Sequence, residues 1–343
     1  MRQLTFIKRG KLEWWDVAAP RITAPLQAIV EPLAVASCDL DTPILRGEAP
    51  FRGPFAFGHE VVGRVKEVGE DVRSVTPGQQ VVVPFQISCG TCAACQRGFT
   101  ANCTTVPRFS CYGLGRGEWG GALSDLMLVP FADAMLVPIP AGISPVAIAS
   151  ASDNIPDAWR AVGPALEEFP GAPVLILGGA GTGSIGLYAV ALARALGAAQ
   201  VDYVDRDAGR LALAQKLGAN VIEATDPPLP RFGSYPITVD AGGDPAELIS
   251  VLRSTAPDGI CTSTAIYFNN ETPLPMRDMY YSGVTFRTGR VHSRASIPTI
   301  LDLVRNARLQ PELVTTELAD WDEAAEALVS FRTKLVISRV DQE

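Results

Sequence analysis

Residues 174–186 read VLILGGAGTGSIG, and this stretch decides the fold. Val174–Leu177 is a continuous apolar run of the kind that forms a strand buried on both faces of a parallel sheet. A glycine-rich turn follows, and the pattern then predicts a helix over 184–196 and a second strand over 201–204. Strand, helix and strand make a βαβ unit, whose crossover is expected to be right-handed.

Helical and strand patterns continue to alternate downstream of this unit. They lie at Arg210–Leu217, Ile237–Asp240, Ala246–Ser254 and Gly259–Ile266. This rhythm predicts an α/β fold with a doubly wound parallel sheet. Residues 225–235, TDPPLPRFGSY, break the rhythm because their prolines cannot sit in a regular helix, so we expect a loop there.

The first part of the chain has a different character. Short apolar runs such as Val61-Val62 and Val81-Val82-Val83 are separated by Gly and Pro, which predicts a compact β-rich domain. A helix is then predicted from about Asn154 to Val162. A chain of 343 residues exceeds the length at which one hydrophobic core usually stops growing, so two domains are expected.

Composition excludes several classes of protein. The formal charge is −8 and the sequence has no run of Lys and Arg, so nucleic acid is not an expected partner. No uncharged apolar segment reaches the roughly 18 residues of a membrane span. The start, MRQLTFIKRGKLEWWD, also lacks the apolar centre of a signal peptide. The sequence therefore predicts a cytoplasmic protein with no membrane partner.

Four of the seven cysteines form the pattern C-x2-C-x2-C-x7-C at Cys89, Cys92, Cys95 and Cys103. Thiolates at this spacing can converge on one tetrahedral ion from a single loop. The bacterial iron–sulfur pattern has three residues before its last Cys and a Pro after it, whereas here seven residues precede Cys103 and Thr104 follows it. Four small buried apolar residues are the other reading. The pattern predicts a closed, structural zinc site.

A second cluster of ligand types surrounds His59, one of only two histidines, in GHEVVGRVKEVGEDV. Glu60 is adjacent, Cys38 lies upstream, and Asp153 precedes the second domain. Thiolate, imidazole and carboxylate would supply three ligands and leave a fourth position open, as in catalytic zinc sites. Spacing alone leaves alternatives, since Asp153 could cap a helix that has Pro156 in its first turn.

The turn after the first parallel strand carries the dinucleotide pattern Gly181-x-Gly183-x-x-Gly186 in its required place between strand and helix. Glycine allows a close backbone approach, and the N–H groups at the helix start suit a pyrophosphate. Gly178 and Gly179 leave another glycine register open. The candidate cofactor-binding residues of the turn are Gly181, Gly183, Ser184, Ile185 and Gly186.

Asp205 ends the second parallel strand, where a carboxylate would bind the adenosine ribose hydroxyls and repel a 2′-phosphate. This favours NAD over NADP as the cofactor. Arg206 follows immediately and weakens that preference, since it offers a phosphate a positive partner. A surface turn residue is the alternative role for Asp205.

Gly58-His59-Glu60-x2-Gly63-x5-Gly69-x2-Val72 resembles the signature of zinc-containing medium-chain alcohol dehydrogenases, and the likeness covers nearly the whole chain. The resemblance implies a GroES-like catalytic domain at 1–150, completed by 291–343, and an NAD-binding Rossmann domain at 151–290. It implies hydride transfer between an alcohol, or an aldehyde or ketone, and NAD(H). It also implies one catalytic and one structural zinc per chain, and dimers or tetramers that pair the edges of cofactor-domain sheets.

The resemblance also implies roles for single residues. Cys38, His59 and Asp153 would hold the catalytic zinc, and Cys89, Cys92, Cys95 and Cys103 would hold the structural one. Glu60 would lie beside the catalytic metal and exchange with water as a ligand. Asp41, the last residue of a C-x-x-D motif, would orient His59 through a hydrogen bond.

Two positions depart from the family pattern. Leu40 stands where relatives usually have a Ser or Thr that passes the alcohol proton to solvent. The proton therefore needs another route, through water, Asp39, Thr42 or Glu60, or the substrate needs no such relay. Asp157 stands where relatives often have a Thr near the nicotinamide. Phe85 matches a position that lines the substrate pocket in relatives, so the resemblance implies an apolar pocket formed by Phe85, Trp119 and Leu40. Structural packing is the alternative role for both aromatics.

Two other functions stay open at this point. The first is a zinc-free NAD(P)H reductase of the quinone type, and the second is a non-catalytic dinucleotide-binding protein. Retention of Cys38, His59 and the four-cysteine cluster argues against the first. Glu60 beside His59 argues against the second, because a non-catalytic protein has no need of it.

Overall fold

The computed structural model of the chain describes residues 1–179 and 181–339. These residues form two compact units. The first unit combines Met1–Pro156 with the chain from Val291 onward, and the second is Asp157–Arg290.

The strands and helices are numbered in chain order. The strands are β1 (Arg2–Lys8), β2 (Lys11–Asp16), β3 (Ala28–Ala36), β4 (Phe55–Ala56), β5 (Glu60–Val68), β6 (Gln80–Val83), β7 (Met127–Val129), β8 (Val137–Pro138), β9 (Val174–Leu177), β10 (Val201–Asp205), β11 (Asn220–Glu223), β12 (Tyr235–Asp240), β13 (Thr255–Ser263), β14 (Thr285–Arg287), β15 (Glu317–Asp320) and β16 (Leu335–Ser338). The α-helices are α1 (Asp41–Arg46), α2 (Ala93–Gln96), α3 (Ala132–Met135), α4 (Asn154–Glu168), α5 (Ser184–Ala195), α6 (Ala208–Lys216), α7 (Pro245–Ser254), α8 (Met276–Ser282), α9 (Ser293–Arg305) and α10 (Ala324–Leu328).

The first unit is β-rich, as predicted. Its larger sheet has the order β15-β16-β3-β5-β6-β8, with β7 paired to β3, and its smaller sheet has the order β2-β1-β4. The strand β3, AIVEPLAVA, is buried along its length except at Glu31, which is half-buried. Antiparallel pairing of β3 with β5 sets Ala36 opposite Glu60. This register brings the end of β3 next to the start of β5, where the first candidate site lies.

The second unit contains a parallel sheet in the order β11-β10-β9-β12-β13-β14. The strand β9 is fully buried and lies between β10 and β12, so the chain runs outward from β9 in both directions. The end of β9 is therefore the switch point at which open parallel sheets bind ligands. The predicted doubly wound α/β fold is confirmed.

The structure shifts some predicted element bounds. The helix predicted to end near Val162 continues to Glu168 and contains Pro164 in its interior. Its buried residues Ala158, Ala161, Val162, Ala165 and Leu166 follow helical spacing past the proline. Packing of this apolar face therefore outweighs the hydrogen bond that Pro164 removes. Among the described residues, no helix combines the length and apolar character that crossing a bilayer requires.

Candidate active site

Three segments of the first unit meet at Cys38, His59 and Asp153. Cys38 follows the last residue of β3 by two positions, His59 precedes β5, and Asp153 precedes α4. The antiparallel register of β3 and β5 brings the first two segments together. All three side chains are buried, with relative exposures of 5%, 1% and 6%.

The donor atoms of these residues converge on one point. Cys38 Sγ lies 3.3 Å from Asp153 Oδ2. His59 Nε2 lies 3.4 Å from the same oxygen. Sulfur, imidazole nitrogen and carboxylate oxygen all lie within 4.8 Å of one another. Such a set of three buried donors matches the protein part of a catalytic zinc site.

The electrostatics of this cluster also fit a divalent cation. Burial, together with the charge of Asp153, raises the pKa of Cys38 well above its usual value. Burial lowers the pKa of His59, but Asp41 and Asp153 outweigh this and raise it to about 9. Both shifts favour the protonated forms of Cys38 and His59, and a bound zinc ion would displace these protons.

Asp41 lies behind His59, although less closely than predicted. Its Oδ1 is 3.8 Å from His59 Nδ1, which is longer than a hydrogen bond. Its Oδ2 accepts a hydrogen bond of 2.8 Å from the backbone N–H of Cys38. Asp41 thus fixes the backbone of Cys38 and places a negative charge beside the second imidazole nitrogen.

Glu60 is completely buried, and Lys334 is its charged partner. Lys334 Nζ lies 2.9 Å from Glu60 Oε2, and both side chains have an exposure of 0%. Burial raises the pKa of Glu60 to about 8 although Lys334 lowers it. Within the described part of the chain, Glu60 Oε1 has no hydrogen-bond partner. One carboxylate oxygen is therefore held by Lys334 while the other keeps its acceptor capacity.

Sequence patterns did not single out Lys334 or Asn154. Lys334 Nζ also donates to the carbonyl oxygen of Ser37 and, over 2.7 Å, to Asn154 Oδ1. These partners lie 180 to 297 positions from Lys334 in the chain. In the sequence around Lys334, the only feature that could have pointed to a buried role is its position directly before the apolar strand β16.

The four-cysteine cluster forms a second candidate metal site, also in the first unit. The sulfur atoms of Cys89, Cys92, Cys95 and Cys103 lie within 4.8 Å of one another. Cys89 Sγ accepts hydrogen bonds from the hydroxyl of Thr105 over 3.1 Å and from the backbone N–H of Cys92 over 3.3 Å. The backbone N–H of Thr104 lowers the pKa of Cys92 to about 5. Burial instead raises the pKa of Cys95 to about 12, so it is the convergence of four sulfurs that suits a closed tetrahedral site.

The glycine-rich turn has the local geometry of a dinucleotide-binding loop. Gly183 precedes α5 and has a φ of 77°, in the left-handed region that favours glycine. A Cβ on Gly186 would lie 3.2 Å from the ring of Tyr203 and 3.3 Å from Gly178 Cα, so glycine allows α5 to pack closely against the sheet. Ser184 and Ile185 form the first turn of α5, and Gly181 precedes it with a φ of 54°.

Asp205 is the last residue of β10, and its side chain is fully buried. Its carboxylate accepts hydrogen bonds from Arg210 Nε over 2.8 Å, from Arg210 Nη2 over 2.7 Å, and from the Tyr203 hydroxyl over 2.7 Å. Burial raises the pKa of Asp205, but Arg210 and the other donors outweigh it and lower the pKa below its usual value. The side chain of Arg206 binds Glu247 instead, over 2.7 Å. Sequence patterns missed Arg210, five positions after Asp205.

The predicted pocket residues differ in their relation to the metal ligands. The ring of Phe85 lies 5.5 Å from the ring of His59, centroid to centroid. Leu40 donates its backbone N–H to Cys38 Sγ over 3.4 Å. The indole of Trp119, in contrast, packs against Gly117 and the apolar core of the first unit. In the second unit, Asp157 accepts a hydrogen bond from Arg160 Nε.

Known proteins match the chain along most of its length. Residues 24–141 match the alcohol dehydrogenase GroES-like domain, and residues 184–306 match the zinc-binding dehydrogenase domain. A probable zinc-binding alcohol dehydrogenase of Mycobacterium tuberculosis is 30% identical over 319 residues, which cover 92% of this chain and 81% of that protein.

Two solved structures show the same fold. Alcohol dehydrogenase TADH from Thermus sp. ATN1 has a TM-score of 0.89 and 29% identity, over 98% of this chain and 99% of its own. An NAD-dependent alcohol dehydrogenase has a TM-score of 0.81 and 26% identity, over 99% of this chain and all of its own.

The chain belongs to the zinc-binding alcohol dehydrogenase family, in which a GroES-like domain is joined to a Rossmann domain. It is an oxidoreductase that uses zinc and a nicotinamide cofactor and acts on a small-molecule substrate. The predicted family, fold class and type of reaction are confirmed.

Proposed function

We propose that the chain interconverts an alcohol and its aldehyde or ketone at a catalytic zinc held by Cys38, His59 and Asp153. The convergence of Cys38 Sγ, His59 Nε2 and Asp153 Oδ2 carries this proposal, because all three atoms are buried and lie within 4.8 Å of one another. When bound there, zinc supplies Lewis acidity that lowers the pKa of an alcohol hydroxyl or polarises a carbonyl.

The residues around the metal ligands prepare this chemistry. The negative charge of Asp41 favours the imidazole tautomer that carries its proton on Nδ1 and leaves Nε2 as a donor. The ring of Phe85, 5.5 Å from that of His59 between centroids, gives the ligands an apolar neighbour. Leu40 cannot accept a proton, so we propose that water carries the alcohol proton away, with Asp39, Thr42 and Glu60 as the candidate side-chain routes. Hydride transfer itself is the chemistry of the nicotinamide.

We propose a second, structural zinc at Cys89, Cys92, Cys95 and Cys103. Four protein ligands close the coordination shell and leave no position for substrate. The chain would then bind two zinc ions, one in each role. Cys89 and Cys92 receive the hydrogen bonds that favour thiolates, which supports this assignment.

We propose NAD as the preferred cofactor, bound through the turn Gly181–Gly186 and Asp205. The ionised carboxylate at the end of β10 supports this choice, because it repels a 2′-phosphate. The similarity to an NAD-dependent alcohol dehydrogenase points the same way. The carboxylate already accepts hydrogen bonds from Arg210, from the Tyr203 hydroxyl and from the backbone N–H groups of Arg206 and Asp207, so the ribose hydroxyls would have to replace one of these donors.

Removal of the charge on Asp205 tests the cofactor proposal. Asp205→Asn is expected to lower the ratio of kcat/KM for NAD to that for NADP by about ten- to a hundred-fold, since a hydrogen bond to a charged group contributes about 1.5–3 kcal/mol. Asp207→Asn is the matched control, because it removes one exposed charge two residues away. A wild-type enzyme that prefers NADP contradicts the proposal.

We propose that the chain forms homodimers or homotetramers through the edge of the second unit's sheet. The edge strand β14 pairs with β13 and, within the described residues, with no strand on its other side. The neighbouring helix α8 exposes Met276, Tyr280 and Tyr281 by 63%, 83% and 80%. Exposed apolar side chains beside an open sheet edge favour pairing with a second copy.

Light scattering tests this interface. The wild type is expected to show the mass of a dimer or tetramer, and Tyr281→Glu is expected to lower it by placing a charge in the interface. Trp15→Glu is the control, because Trp15 is an exposed aromatic of the first unit at 40% exposure. A monomeric wild type, or an equal effect of both substitutions, argues against the interface.

The proposed reaction is tested with a panel of alcohols, polyols and aldehydes, monitored by nicotinamide absorbance, together with zinc analysis. About two zinc ions per chain and turnover of at least one substrate are expected. A protein that binds no zinc but reduces a substrate matches a zinc-free reductase. A protein that binds zinc and cofactor but transfers no hydride across the panel matches a non-catalytic binding protein.

A further inference from the structure

Asn154 links the buried lysine to the proposed zinc ligands. It is the first residue of α4, and its side chain is 1% exposed. Its Oδ1 accepts a hydrogen bond of 2.7 Å from Lys334 Nζ. Because an ammonium group only donates, the amide oxygen must face Lys334 and the amide nitrogen must face the other way.

The amide nitrogen points at two of the three proposed ligand atoms. Asn154 Nδ2 lies 3.3 Å from Cys38 Sγ and 3.5 Å from Asp153 Oδ2. A side-chain amide has two N–H donors, so both contacts can be made together. The same group therefore contacts the proposed sulfur ligand and the proposed carboxylate ligand.

Lys334 holds the amide in this orientation. Its three ammonium hydrogens have three described acceptors, which are the carbonyl of Ser37, the carboxylate of Glu60 and the amide oxygen of Asn154. Rotation of the amide by half a turn would set its N–H groups against a buried cation and leave Cys38 Sγ facing an oxygen. The structure thus offers Asn154 one favourable orientation.

We propose that Asn154 is a positioning residue, whose amide donates a hydrogen bond to the Cys38 thiolate and thereby limits how much charge the sulfur gives to the catalytic metal. This inference rests on the proposed zinc site and deepens it. A hydrogen bond to a ligating sulfur withdraws electron density from it and keeps the metal a stronger Lewis acid. The contact to Asp153 also fixes the orientation of that carboxylate.

A helix-start role is the simpler alternative. The capping position of α4 belongs to Asp153, which directly precedes the helix, so a purely structural Asn154 would only pack within the first turn. The amide oxygen of Asn154 receives a hydrogen bond from Lys334, which lies 180 positions away in the chain, and its nitrogen contacts both proposed ligand atoms. Loss of a purely structural contact at the helix start would change stability, but it would not change the electronic properties of the sulfur–metal bond.

Cadmium-113 substitution tests the hydrogen bond in the wild-type protein. An N–H that donates to a ligating sulfur shows scalar coupling to the metal nucleus through that sulfur. The backbone N–H of Leu40 donates to Cys38 Sγ over 3.4 Å and is the internal reference. We expect coupling from both the Leu40 N–H and the Asn154 side-chain amide.

The outcomes separate this inference from the proposed function. Coupling to Leu40 without coupling to the Asn154 amide overturns the inference and leaves the zinc site intact. A protein in which no cadmium resonance couples through Cys38 overturns the proposed zinc site, and the inference with it. Because the measurement uses the wild type, it does not depend on the folding of any variant.

Cobalt-substituted variants test the electronic effect. Asn154→Leu removes both amide contacts, whereas Asn154→Asp keeps an acceptor for Lys334 but places an oxygen toward the sulfur. Both are expected to move the thiolate-to-cobalt charge-transfer band to lower energy, and the zinc enzymes are expected to lose roughly ten- to a hundred-fold in kcat/KM. Asn220→Leu is the control, because Asn220 Nδ2 donates to Asp202 Oδ1 over 2.8 Å in the second unit.

An unchanged band in both Asn154 variants at full cobalt content overturns the proposed effect on the sulfur. A band that shifts in the Asn154 variants and not in Asn220→Leu supports it. Should Asn154→Leu fail to fold, the isosteric Asn154→Asp and the cadmium measurement on the wild type still test whether the Asn154 amide acts on the Cys38 sulfur.

Discussion

His59→Ala is expected to lower kcat/KM for alcohol oxidation by at least about a thousand-fold, which corresponds to a loss of about 4 kcal/mol of transition-state stabilisation. His59 Nε2 is one of three converging donor atoms, and Asp153 Oδ2 lies only 3.4 Å from it. Alanine leaves two protein ligands, which are too few for a catalytic zinc site. The zinc content is expected to fall from about two ions per chain to about one.

The second histidine of the chain provides a matched control. His292 accepts a hydrogen bond from the backbone N–H of Ala101 over 3.1 Å, and its ring lies beside Phe99. His292→Ala is expected to keep both zinc ions and a turnover close to that of the wild type. Steady-state kinetics and metal analysis of the two variants, side by side, test whether His59 holds the catalytic zinc. If His59→Ala keeps wild-type turnover, the catalytic zinc site does not lie at this histidine.

The parts of the fold that rest on local patterns were predictable from the sequence. The buried strand β9 and the helix α5 follow directly from an apolar run, a glycine-rich turn and a helical repeat. The sulfur atoms of the four-cysteine cluster come from one short loop, so their spacing alone predicts that they meet. Element ends were less predictable, as the continuation of α4 past Pro164 shows.

The surroundings of the candidate site were much less predictable. Glu60 and Lys334 are 274 positions apart, and their meeting depends on the pairing of β16 with β3 and of β3 with β5. A lone lysine carries no signal that it will be buried, because most lysines lie on the surface. Arg210 is closer to its partner, but the pattern that points to Asp205 contains no arginine at that spacing.

The distance between Asp41 and His59 shows how geometry refines a role inferred from resemblance. The expected hydrogen bond would need a separation of about 3 Å. The atoms are 3.8 Å apart, and the other oxygen of Asp41 instead binds the backbone of Cys38. Asp41 therefore acts on two of the three proposed ligands, on His59 through its charge and on Cys38 through a hydrogen bond from the backbone N–H.

The second large effect is expected at the four-cysteine cluster. Cys103→Ala should remove the structural zinc and unfold the loop that carries it. Apart from the cysteines, only Val106 and Phe131 among the described residues pack against the sulfurs as apolar neighbours. So small a core cannot offset the entropy of an ordered loop, at about 1–2 kcal/mol per residue, without the metal.

The magnitude follows from what zinc contributes to small domains. Structural zinc binding is worth about 10–16 kcal/mol in zinc-finger peptides, which exceeds the margin of about 5–15 kcal/mol by which whole domains are stable. The loop can unfold while the rest of the first unit stays folded. The free energy of unfolding of the whole unit is therefore expected to fall by only part of the zinc-binding energy. We therefore expect a clear fall in unfolding temperature and new protease cleavage within residues 89–103.

Cys111→Ala is the matched control, because Cys111 is as well buried as Cys103, with exposures of 3% and 8%, and lies outside both proposed metal sites. Cys111→Ala is expected to lower the free energy of unfolding by roughly 0.5–3 kcal/mol, as an ordinary single substitution does, and to retain both zinc ions. Limited proteolysis, calorimetry and metal analysis separate the two variants. Retention of two zinc ions by Cys103→Ala would contradict a closed four-cysteine site, because its coordination shell requires all four sulfurs.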